Sequence, residues 1–135
     1  MRLLEAQTLD PLGGCVLSAA VAEMKHLCIQ VQPPRVPQLQ IEEIRTACEA
    51  LAEKSPIVLS HDFARSDPAG EWFNFIFETD HLEELWQLIQ SKLYEVPGLG
   101  ADLAKASITT CEGEDGWNDY LLLHHFDPAE RRDTL

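Results

Sequence analysis

Apolar and polar residues alternate over residues 25–31, with Leu27, Ile29 and Val31 on one side and His26, Cys28 and Gln30 on the other. A period of two marks a half-buried strand. The same period returns over 71–78, where Phe73, Phe75 and Phe77 oppose Trp72, Asn74 and Ile76. A shorter apolar run, Ile57-Val58-Leu59, predicts a strand running out through Ser60 and His61. Residues 107–111 and 117–126 read as the two strands of a hairpin around an acidic loop at 112–116.

Helical spacing fills the gaps between these strands. Over 39–54, Ile41, Ile44, Cys48 and Leu51 form an apolar stripe, with Glu42, Glu43, Arg45, Glu49 and Glu53 largely opposite. A second helix begins at Thr79 or Asp80, with Glu83 placed for a capping box, and carries Leu82, Leu85, Trp86, Ile89 and Leu93. Pro97-Gly98 closes it, and 99–105 allows one or two further helical turns. The proline-rich stretch 32–37 and the turn at 66–70 break regular structure.

The order strand, helix, strand, strand, helix, strand resembles the ferredoxin-like split βαβ fold. It predicts an α+β domain, ferredoxin-like in order with an added C-terminal hairpin. Two main helices would pack on one face of a mostly antiparallel sheet. We expect an N-terminal arm over 1–24, a single domain over 25–127 and a charged tail over 128–135. At 135 residues the chain is one ordinary domain, long enough to bury a core without disulfides or a structural metal. Leu12-Gly13-Gly14-Cys15 resembles a bacterial lipoprotein cleavage box, but Glu5 and Asp10 interrupt the apolar run that a secretory signal needs.

Composition changes this picture in two ways. The four cysteines, Cys15, Cys28, Cys48 and Cys111, form no CxxC pair, so reduced thiols and a cytoplasmic location are expected. Ten basic residues against 23 acidic ones leave a net charge of −13. Such an excess of acid opposes any surface built of phosphate, so neither nucleic acid nor an anionic membrane is an expected partner. The acids also cluster. Between Arg65 and Lys92 there are six and no Lys or Arg, and between Lys105 and Arg131 there are six more, again without a base.

Catalytic motifs are weak. Ser60-His61-Asp62 carries the letters of a catalytic triad, but adjacent strand residues diverge instead of converging. His125 and Asp127 share a strand face, giving two metal ligands where three or four are needed. Cys111 is followed by Glu112, Glu114 and Asp115, which disfavour a thiolate. The acidic loop lacks the ligand spacing of an EF-hand, and no glycine-rich phosphate loop is present. No catalytic residue, metal ligand set or cofactor is therefore assigned.

What the pattern does offer is a partner surface. Glu112, Glu114, Asp115 and Asp119 surround Trp117 and Tyr120 at the hairpin. A Trp at a strand start ordinarily packs inward; exposed among carboxylates, it would anchor a partner of opposite charge. In composition the chain resembles bacterial immunity proteins and antitoxins, which block basic toxins stoichiometrically. That resemblance implies a protein-binding module acting on a basic protein partner. Two other readings stand beside it. One is a small-molecule enzyme or sensor, dimeric through its sheet, with a pocket near His26, Cys28, His61 and Trp72. The other is an interaction or assembly domain, a homodimer through its sheet edges.

Overall fold

The computed structural model describes residues 24–66 and 71–135. The arm and the Leu12–Cys15 box therefore lie outside the described residues, as do positions 67–70 of the predicted turn. Over the described residues the fold is α+β, with a five-stranded antiparallel sheet and three α-helices. Strand β1 is Lys25–Val31, and a short 3-10 turn at Pro33–Arg35 leads to helix α1, Ile41–Lys54. Strands β2 (Val58–Arg65) and β3 (Phe73–Thr79) follow, then helix α2 (Leu82–Ile89). A π-helical turn at Gln90–Tyr94 extends α2, and helix α3 is Leu99–Ala106. Strands β4 (Ser107–Gly113) and β5 (Gly116–His124) complete the chain. Across the sheet the strands run β2-β3-β1-β4-β5.

The core lies between one face of the sheet and the helices. Leu27, Ile29 and Val31 of β1 and Phe73, Phe75 and Phe77 of β3 meet Ile44, Cys48 and Leu51 of α1 and Leu85 and Ile89 of α2. Each large side chain buried there contributes about 1.5–3 kcal/mol relative to exposure. The alternation seen in the sequence is thus realised in β1 from His26 onwards and throughout β3 and β4, where burial switches at every residue.

Four expectations needed correction. The strand around residue 58 is longer than its apolar run, because pairing with β3 carries β2 to Arg65. The capping box at the second helix does not form: α2 starts behind His81, with no side-chain cap. Thr79 instead donates to the Ile57 carbonyl at 2.6 Å and accepts the His81 N–H at 2.9 Å, tying the helix entry to β2. The turns after Pro97-Gly98 make a full third helix, against the two expected. Finally, the acidic loop shrinks to Glu114 and Asp115, because Glu112 and Gly113 belong to β4 and Gly116 to β5. Gly116 takes φ +71°, a left-handed conformation that other residues adopt rarely.

Both edges of the sheet are strands, β2 and β5. At β5 the C-terminal tail folds back: the Asp133 N–H donates to the Leu122 carbonyl at 2.7 Å, and the Leu122 N–H donates to Asp133 Oδ2 at 2.8 Å. Arg35 stacks over the Phe126 ring, 3.4 Å from its centroid, and pins the segment between β5 and the tail.

Candidate functional site

Among the described residues no helix covers the second face of the sheet, and its side chains form ordered rows. Strand register sets Glu78 of β3 and Glu112 of β4 on either side of His26 of β1. The next row is Ile76, Cys28 and Thr110, extended by Asp62 of β2 and Leu122 of β5. A third row sets Asn74, Gln30 and Ile108 side by side. Charge therefore concentrates at one end of the face, beside a largely apolar middle.

The first row is held by specific contacts. Glu112 Oε2 accepts the His26 backbone N–H at 2.7 Å and the imidazole Nδ1–H at 2.6 Å. An ionised carboxylate only accepts, so this contact fixes the proton on Nδ1 and turns Nε2 towards Glu78, 3.7 Å away. Glu78 Oε1 in turn accepts the Ser60 hydroxyl at 2.9 Å. Among the described residues, no donor reaches Glu112 Oε1. The Glu112 and Glu78 side chains remain 16% and 24% exposed, so both carboxylates stay within reach of a bound group.

Beside this row lies an open cavity of about 480 Å³, lined by His26, Cys28, Ile76, Thr110 and Trp117. Burial pushes the Cys28 thiol up to about 11, so it stays protonated and acts as a lining group, not a nucleophile. Trp117 is 46% exposed and Tyr120 57% exposed. The inward packing ordinary for a Trp at a strand start is therefore not adopted. Edge strand β5 carries these aromatics where, among the described residues, no helix covers them.

The two groups of candidate residues read from the sequence overlap here. Glu112 and Trp117, assigned to a partner surface, share one face with His26 and Cys28, assigned to a ligand pocket. Glu114, Asp115 and Asp119 stand exposed at the neighbouring turn, where Asp119 Oδ1 accepts the Asp115 N–H at 2.8 Å. His61 and Trp72 do not join them. His61 pairs with Phe77 and borders a small gap with Cys48 and Phe63 on the helix side of β2. Trp72 precedes β3 and its N–H is bonded to the Ser66 hydroxyl at 3.3 Å, outside the cavity lining.

Glu78, Ile76 and Thr110 escaped the sequence reading as site residues. Each sits at an outward position of an alternating strand, but only the pairing of β3 and β4 with β1 brings them to His26. Among the described residues no cluster of three metal-ligating side chains occurs, and no helix is long and apolar enough to cross a membrane. Compared with protein-family models, curated proteins and solved structures, the chain matches none.

Proposed function

We propose that this chain is a small acidic protein-binding module that neutralises or regulates a basic protein partner, in the manner of an immunity protein or antitoxin. We read its scaffold as a ferredoxin-like βαββαβ unit, β1 to β4, extended by β5; the strand order β2-β3-β1-β4 supports that reading. One observation carries the functional reading. Trp117 and Tyr120 stand exposed on an edge strand, next to the Glu78–His26–Glu112 row and the carboxylates of the hairpin turn. Aromatic anchors ringed by one sign of charge combine binding energy with steering of an oppositely charged partner.

The test is affinity capture from the native cell, identification of the bound protein and measurement of its association rate. A basic partner is expected, with a rate that falls at least about tenfold between roughly 50 mM and 500 mM salt. Reversing Glu114 and Asp115 to Lys slows association several-fold without lowering the melting temperature. A salt-insensitive rate overturns the proposal, as does a partner without excess positive charge.

The cavity favours a second reading, a site for a small molecule. A metabolite that co-purifies and shields Cys28 from alkylation, with no protein partner captured, decides for it.

A further inference from the structure

We propose that the open-face cavity is the receiving pocket for one arginine side chain of the basic partner; this rests on the docking reading above. The guanidinium would lie against the Trp117 ring with its N–H groups on the carboxylates of Glu112 and Glu78. The alkyl stem would run over Ile76, Cys28 and the Thr110 methyl.

Three features converge on that chemistry. Glu112 and Glu78 flank His26, a lining residue of the cavity; two His26 donors hold Glu112 and the Ser60 hydroxyl holds Glu78, so their orientation precedes binding. Glu112 Oε2 takes two donors from His26, and among the described residues no donor reaches its Oε1. The cavity walls are otherwise apolar or aromatic, so a cation entering them needs a long hydrocarbon stem. Anions are repelled by the carboxylate row, and a compact hydrated metal ion gains nothing from Trp117 or Ile76.

Arginine fits better than lysine. Its guanidinium is planar, stacks on an aromatic face and presents paired N–H donors to carboxylates. It is also more weakly hydrated than an ammonium group, which lowers the cost of leaving water for a half-enclosed pocket.

The test uses the isolated protein and three probes: N-acetyl-arginine methylamide and its lysine and citrulline counterparts. Amide and indole resonances are followed by NMR during titration. The arginine probe is expected to shift the Trp117 indole N–H and the Cys28 and Thr110 amides saturably. The lysine probe binds several-fold more weakly and citrulline not at all. Trp117→Ala and Glu112→Gln each weaken binding at least about fivefold, since each removes one half of the recognition. Glu53→Gln, on the far side of the helix layer, leaves it unchanged. Absence of a saturable shift overturns the proposal, as does lysine binding equal to arginine binding. If the arginine probe fails while a basic protein still associates in a salt-sensitive way, the anchor is wrong and the docking reading stands. If the probe saturates but no basic protein associates, docking falls, and with it the assignment of the pocket to a partner's side chain.

Discussion

Tyr94 shows how single residues hold the helix layer to the sheet. Its hydroxyl bonds to Ser107 Oγ at 2.8 Å and Thr109 Oγ1 at 2.7 Å, both fully buried on β4. Burial pushes the phenol up to about 12, so it remains neutral and able to donate. Tyr94→Phe strands two buried hydroxyls and is expected to lower stability by about 1–3 kcal/mol, read as a lower urea midpoint at unchanged slope. His124 packs against the same ring, centroids 4.6 Å apart, with Nε2 2.9 Å from the Ala104 carbonyl. Its pKa is lowered from 6.5, chiefly by burial and further by Arg132 and His125, against the opposing Ala104 bond. The unfolded chain therefore takes up this proton more readily than the folded one, so stability present above pH 6.5 is lost as pH falls below it. Melting temperatures measured from about pH 7.5 to 5.5 should fall more steeply for the native protein than for His124→Gln. Equal slopes would remove His124 from the account.

At the scale of elements, the alternating strands were legible because each buries one face and leaves the other open, which forces a period of two. The end of α2 was not legible. Local pattern carries the apolar stripe through Leu93, but the backbone widens there: Glu95 N–H bonds back to the Gln90 carbonyl at 2.9 Å, a π-type turn. That turn delivers Tyr94 to β4 and lets α3 approach. Gly100 is where they touch, since a Cβ on it would lie 2.0 Å from the Tyr94 carbonyl oxygen. Gly100→Ala is expected to cost at least about 3 kcal/mol, because the obstructing atom is backbone and cannot swing aside. A near-neutral result in chemical denaturation would mean that α3 can slide. The missing cap of α2 has a related cause: Thr79 turns its hydroxyl to the Ile57 carbonyl, a partner 22 residues away. No local window contains it.

For the molecule as a whole, the charge of −13 was plain in the sequence, but its placement needed the sheet. His26, Glu78 and Glu112 are scattered over 86 positions and become one row only through the register of three strands. The partner residues at the hairpin were partly legible, since aromatics and carboxylates stand close together in the chain there. That Trp117 faces outward was not, because the pattern could not tell edge strand from core strand. With ten basic residues against 23 acidic ones, most of the acidic charge has no basic counterpart, and Arg45 with Glu49 at 3.3 Å is one pair that forms. Added salt should therefore stabilise the free protein, by about 1 kcal/mol or roughly 3–6 °C in melting temperature between low and moderate ionic strength. A melting temperature that falls with salt would show that attraction, not repulsion, dominates its surface. The clasp between Asp133 and Leu122 bears on handling as well as on folding. It occupies backbone positions of β5 that another chain would need for sheet growth, so the tail acts as a stopper against fibril-like stacking. Fusion partners are thus best placed away from the C-terminus, where they would pull that stopper out.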